Sequence, residues 1–265
     1  MRYKPQEDEL LSSWLVRLAH GLNMKVQTLC NLEFGNQRQV WNRDIDRLGP
    51  PWLIETLSRR TGTPLRVAQQ TTLRVYDGVL YRRFKSSGVL PWVLRLKMYH
   101  RTWKGYGLQY CPACLSEGDV CYFRKSWRIA MNTVCLRHRC MLLDRCPVCQ
   151  AGIVFTRTDL GHPGLNSFLG LNLCHVCGFD LCMAKRSLPP CLDLDAAKWL
   201  TQLWIDFAGD EIDRRTIDRI ELLHVICTVL TRHRKPLRLF TYVCDVLGAE
   251  QFPTDRGRTS LECRP

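Results

Sequence analysis

Apolar residues recur at helical spacing between residues 10 and 70. Four closely spaced pairs of Cys or His side chains stand between residues 111 and 177, and helical periodicity returns after residue 190. Together these observations predict a mainly α-helical fold carrying small zinc-ribbon or zinc-finger units. The expected organisation has three parts. Residues 1–105 form a helical N-terminal domain with a helix-turn-helix and a basic stretch, residues 106–190 hold tandem zinc-binding units, and residues 191–265 form a C-terminal helical region.

The elements follow in order. Leu10, Leu11, Trp14, Leu15 and Leu18 mark the buried face of a first helix, with Asp8 as its N-cap and Gly21 at its end. Trp14 and Leu15 are expected in the core. A second helix runs from about Val26 to Phe34 and stops at Gly35-Asn36. Trp52, Leu53 and Leu57 define a helix closed by Thr61-Gly62. Thr63-Pro64 then reads as an N-cap and first helical residue, with Leu65, Val67 and Ala68 inside the next helix. Two helices joined by a tight glycine turn make a helix-turn-helix unit. Its second helix exposes Arg66, Gln69, Gln70 and Arg74, side chains that can reach base edges or phosphates.

Residues 74–104 hold Arg82, Arg83, Lys85, Lys97, Arg101 and Lys104 interleaved with aromatic rings, a mixture suited to a nucleic-acid groove. Trp92, Leu96 and Tyr99 fit one helical face and are expected partly in the core. Val120–Phe123 and Ile153–Phe155 read as short strands. Asp159–Gly170 reads as an exposed loop, and Leu188-Pro189-Pro190 as a linker. Ala196–Phe207, Ile217–Thr231 and Phe240–Leu247 carry helical patterns, and the last dozen or so residues read as frayed.

Fifteen cysteines far exceed ordinary usage, and their spacing separates them into classes. Cys111-Pro-Ala-Cys114, Cys146-Pro-Val-Cys149 and Cys174-His-Val-Cys177 are C-x-x-C knuckles, and Cys135-Leu-Arg-His138 is a C-x-x-H knuckle. Pairing neighbours gives one set of Cys111, Cys114, Cys135 and His138, and a second of Cys146, Cys149, Cys174 and Cys177. Spacing also allows a cross-braced pairing, with Cys111/Cys114 joined to Cys146/Cys149. Two zinc ions are expected, both structural, because four protein ligands leave no open position for water. Cys30, Cys227 and Cys244 lie on apolar helical patterns and read as core residues. His175 is expected to face solvent, and His162 lies in the loop. Cys140 stands close enough to the first set to compete as a ligand.

Charge narrows the function classes. Lys and Arg total 38 against 25 Asp and Glu, a net charge of +13. The excess is +10 in residues 1–110, +4 in residues 111–190 and −1 beyond. A basic front with a near-neutral rear points to a polyanionic partner met by one part of the chain. No P-loop, H-E-x-x-H, H-x-E or G-x-S-x-G signature is present. A non-enzymatic protein is therefore expected. The opening MRYKPQEDELL reads as neither signal nor transit peptide, and no apolar run approaches the length of a membrane span.

Four features resemble the TniQ/TnsD family of transposition target-selection proteins. They are Glu7-Asp8-Glu9-Leu10-Leu11-Ser12-Ser13-Trp14-Leu15-Val16-Arg17-Leu18-Ala19; Gly62 closing a helix before Thr71-Thr72-Leu73; Tyr110-Cys111-Pro112-Ala113-Cys114-Leu115 with Trp127-Arg128 and Cys135-x-x-His138; and Leu143-Asp144-Arg145-Cys146-Pro147-Val148-Cys149 answered by Cys174-x-x-Cys177-Gly178. The resemblance spans roughly residues 5–185. Arg139 departs from it, standing where glycine is expected. It implies a bacterial cytoplasmic adaptor that couples a target, either DNA or an RNA-guided CRISPR effector complex, to an AAA+ ATPase and, through it, to the transposase. A homodimer is compatible with that role. The alternative is an autonomous site-specific zinc-containing DNA-binding regulator, and a zinc-dependent nuclease is the remaining competitor.

Overall fold

A computed structural model describes residues 3–35, 40, 43–96, 98–99, 102–103, 106–157, 170–189, 194, 198, 217–218 and 220–225. The chain divides into two compact units, Met1–Asp218 and Arg219–Pro265. Among the described residues of the first, five α-helices precede the cysteine-rich segment: α1 (Leu11–Gly21), α2 (Val26–Phe34), α3 (Ile45–Leu48), α4 (Pro51–Thr61) and α5 (Leu65–Gln69). A sixth, α6 (Pro112–Ser116), carries the first C-x-x-C knuckle. The described residues also hold short 3-10 turns and two short antiparallel pairs: β1 (Met98–Tyr99) with β2 (Thr102–Trp103), and β3 (Val134–Cys135) with β4 (Cys140–Met141). In the second unit, residues 220–225 are helical.

α1 is the centre of the core. Leu10, Leu11, Trp14, Leu15 and Val16 are fully buried, with Leu18 and Ala19 beside them. Apolar side chains are six of the nine buried residues of α1. The rest are Ser12, Ser13 and Arg17, polar residues that are buried because each has a partner. Arg17 donates from Nε and Nη2 to the two Glu9 oxygens at 2.7 Å, and Ser13 Oγ donates to Glu9 Oε1 at 2.9 Å. Glu9, Ser13 and Arg17 stand four residues apart, so one helical face collects them. Asp8 does not cap α1 as expected. Its backbone adopts φ 57, and its carboxylate accepts from Ser126 N and Oγ. The half-buried contact with the distant Ser126 overrides the local cap.

The helix-turn-helix forms. Gly62 ends α4 in the left-handed region at φ 65, where its N–H reaches Ser58 O. The next helix starts one residue later than expected. Pro64 stands at its N-cap, while Thr63 Oγ1 is turned to Thr61 Oγ1 at 2.7 Å.

The cysteine-rich segment shares a core with the helices. Leu10 N donates to Phe123 O at 2.9 Å, and Phe123 N to Ser13 Oγ at 3.0 Å. Phe123 stacks on Phe155 with ring centroids 4.5 Å apart and meets Trp127 edge-on at 5.8 Å. Arg128 is buried and donates to both Asp44 oxygens, to Asp46 Oδ2 and to Leu94 O. It therefore ties α3 to the cysteine-rich segment.

Three expectations are corrected. Trp92 and Leu96 do not lie on a helix. Trp92 adopts φ 62, and Val93 bridges Ile129 in an extended path, because the segment pairs with 127–130. Val120–Phe123 joins no ladder, and Phe155 begins a 3-10 turn, so neither run is a strand. Lys97, Arg101, Lys104, the loop 158–169, Cys191, Cys227, Cys244 and Cys263 fall outside the described residues, as do most of the helices expected after residue 190. Among the described residues, no helix is long and apolar enough to cross a membrane.

Candidate metal centres and the basic surface

The eight knuckle residues gather into two groups, Cys111/Cys114/Cys135/His138 and Cys146/Cys149/Cys174/Cys177. In each, all four ligand atoms lie within 4.8 Å of one another. The cross-braced pairing is therefore excluded, since neighbouring knuckles meet.

Local backbone geometry makes the groups. Cys111 is the N-cap of α6 and Pro112 its first residue, so the missing N–H of proline costs no helical bond. In the second group, Gln150 N donates to Cys146 O at 3.0 Å and Gly178 N to Cys174 O at 2.9 Å. Each of those residues directly follows the second cysteine of its knuckle, and each has positive φ, 60 for Gln150 and 72 for Gly178. Arg139, after His138, takes the same left-handed turn at φ 48. The glycine expected there is replaced at a cost of roughly 1–2 kcal/mol for a residue with a Cβ.

The donor spacing fits a tetrahedral metal. A metal–sulfur bond of about 2.3 Å in tetrahedral geometry sets sulfurs about 3.8 Å apart. Cys114 and Cys135 sulfurs are 3.6 Å apart, Cys146 and Cys177 are 3.6 Å apart, and Cys149 and Cys174 are 3.5 Å apart. His138 turns Nδ1 toward the three sulfurs of its group at 3.3 to 3.5 Å. Its other nitrogen, Nε2, is 2.7 Å from Glu117 Oε1. A carboxylate behind a ligating imidazole fixes the tautomer with the proton on Nε2 and raises the donor strength of Nδ1. Arg137 Nε, 3.2 Å from Glu117 Oε2, steadies that carboxylate.

Electrostatics point the same way. Contact with Cys114 and Cys135 draws the Cys111 thiol down to about 2, and contact with Cys111 and Cys135 pushes Cys114 well above the ordinary thiol range. Three crowded sulfurs cannot all be thiolates unless a cation neutralises them. In the second group a backbone hydrogen bond from Phe179 leads in bringing the Cys177 thiol down to about 7. Both sets suit a soft-ligand, tetrahedral metal ion. His175 is half-buried and outside the cluster. Cys30 is a core residue as expected, and Cys140 is buried beside Cys111.

The candidate nucleic-acid residues lie on the surface. Arg66, Gln69, Gln70, Arg74, Arg82, Arg83 and Lys85 are exposed. Gln69 and Arg74 line a groove of about 340 Å³ with Ile54, Glu55, Leu65 and Thr72. The Arg74 guanidinium lies 4.5 Å over the Phe84 ring. Arg82 is ion-paired with Asp218. Sequence reasoning missed Arg47, which donates to the carbonyls of Lys85, Ser87 and Gly88 and pins the basic loop. It also missed Glu117 and the Asp44/Asp46 pair. These contacts span long sequence separations, which no local pattern encodes.

These features define a helix-rich protein in which a helix-turn-helix unit shares a core with a centre that could hold a metal ion, and a second such centre follows. The chain belongs to the TniQ family, whose family model matches residues 1–142, and the family associates it with transposition. The match contains the helix-turn-helix and the first centre; the second centre lies beyond it. No curated protein matches the sequence.

Proposed function

We propose that this TniQ-family chain is a non-enzymatic transposition adaptor. It couples recognition of a target, DNA or an RNA-guided complex, to recruitment of an AAA+ regulator and, through it, the transposase in the bacterial cytoplasm. Two zinc ions serve it structurally. The observation that carries this reading is the shared core. The start of α1 joins the chain just after α5 to the segment between the first two knuckles, through Leu11 N to Thr71 O and Leu10 N to Phe123 O, both 2.9 Å. A rigid body of this kind can present one surface to a target and another to a partner. Four protein ligands at each centre favour a structural over a catalytic metal.

Exposed Gln69 and Arg74 in the groove beside α5 favour direct contact with DNA, the arrangement an autonomous DNA-binding regulator would share. A triple substitution, Arg66→Ala with Gln69→Ala and Arg74→Ala, separates recognition from folding. Transposition should be lost while circular dichroism and zinc content stay at wild-type values. Full transposition by the triple variant would remove α5 from the recognition surface. Cleavage of DNA or hydrolysis of ATP by the purified chain alone would defeat the adaptor reading.

A further inference from the structure

The first metal centre has a fifth donor within reach. Cys140 Sγ lies 3.6 Å from Cys111 Sγ, the same separation as between the ligand sulfurs of Cys114 and Cys135. Cys140 is a free cysteine, only 1% exposed. It stands directly opposite Cys135 across the β3–β4 pair, so its backbone is held at the edge of the cluster. By contrast, His138 is tethered by Glu117, whose side chain is 34% exposed, and by Arg137 beyond it. The imidazole is thus the ligand whose support lies nearest the surface, and Cys140 is the buried donor beside it.

We propose that Cys140 is a reserve ligand of the first metal centre. With His138 in place, Cys140 remains a thiol and its S–H donates to the Cys111 sulfur. When the imidazole is withdrawn, Cys140 gives up its S–H proton to solvent and its thiolate takes the fourth ligand place. The donor set then changes from three thiolates and one imidazole to four thiolates, with no change of oxidation state. Loss of the Glu117–His138 contact would then weaken the centre without emptying it. The inference rests on reading the first cluster as a zinc centre.

X-ray absorption at the zinc edge on the full zinc-loaded chain, with zinc content measured in parallel, tests it. Wild type should hold two zinc ions and seven thiolate ligands over the two centres. His138→Ala should keep both ions and rise to eight thiolates, and the double variant with Cys140→Ser should lose the first ion. Cys140→Ser alone should match wild type at rest but release its first zinc to a chelator several-fold faster. Seven thiolates in a two-zinc His138→Ala protein would overturn the proposal, as would loss of a zinc from resting Cys140→Ser. If His138→Ala does not fold, the release rates decide, and equal rates for Cys140→Ser and wild type overturn it. Fewer than two zinc ions in wild type would instead defeat the underlying metal reading, whatever the variants do.

Discussion

Glu117 shows how one residue outside a ligand set governs it. Its contact with His138 Nε2 is the only support the imidazole has on that side among the described residues. Glu117→Ala should weaken zinc binding at the first centre about 10–100-fold, the usual effect of removing a carboxylate behind a ligating histidine. A competition titration with a chromophoric chelator measures it; unchanged affinity would mean the carboxylate only decorates the surface. Asp46 makes a prediction of the opposite electrostatic kind. Burial first, and then the neighbouring Asp44 charge, push its carboxyl up to about 6 despite Arg128 and Ser12. A folded value above the unfolded one means the native state binds the proton more tightly. The stability from that proton is complete below the unfolded value of 3.8 and is lost as pH rises through about 6. Relative to Asp46→Asn, wild type should therefore gain about 1 kcal/mol between about pH 7.5 and about pH 5.5. Urea midpoints of the two proteins over that window check the sign.

At the scale of elements, the segment after α5 is a short 3-10 turn, Leu73–Tyr76, followed by a loop that carries Arg82, Arg83 and Lys85. The loop has little regular hydrogen bonding of its own. Arg47 supplies it by holding the carbonyls of Lys85, Ser87 and Gly88 at 2.7 to 3.1 Å. Exposed guanidinium and ammonium groups on a fixed loop suit phosphate contact, which is salt-dependent through counterion release. Replacing Arg82, Arg83 and Lys85 with Glu should weaken DNA binding. It should also flatten the dependence of log K on log salt by about 0.9 for each phosphate that is no longer neutralised. A salt titration with unchanged slope would make these charges a solvated face.

At the scale of the whole molecule, the cysteine-rich segment and the N-terminal helices share one core. Phe123, Trp127 and Ile129 belong to the same core as α1, and Arg128 reaches α3 from within it. Removing metal should therefore lower the thermal midpoint of the helical circular dichroism signal and not merely loosen the knuckles, because metal binding is folding free energy in such units. A helical signal indifferent to chelation would show that the N-terminal helices have a core of their own.

Local chemistry makes much of this protein legible from its residues alone. The bounds of α2, the Gly62 turn and all eight knuckle residues follow from short-range spacing: 3.6-residue periodicity, a glycine at left-handed φ, and two ligands per tight turn. The same short-range rules misplace Asp8 as a cap and draw a helix through Trp92 and Leu96. In both places a long-range partner prevails, Ser126 for Asp8 and the 127–130 segment for Val93. Tertiary structure alone chose neighbouring over cross-braced ligand pairing. It brought Glu117 to His138 and Cys140 to Cys111, and it placed two aspartates around a buried arginine. The reason is physical: a buried charge or a metal ligand is satisfied by whichever group the fold brings within a few ångströms, and sequence separation does not enter that energy.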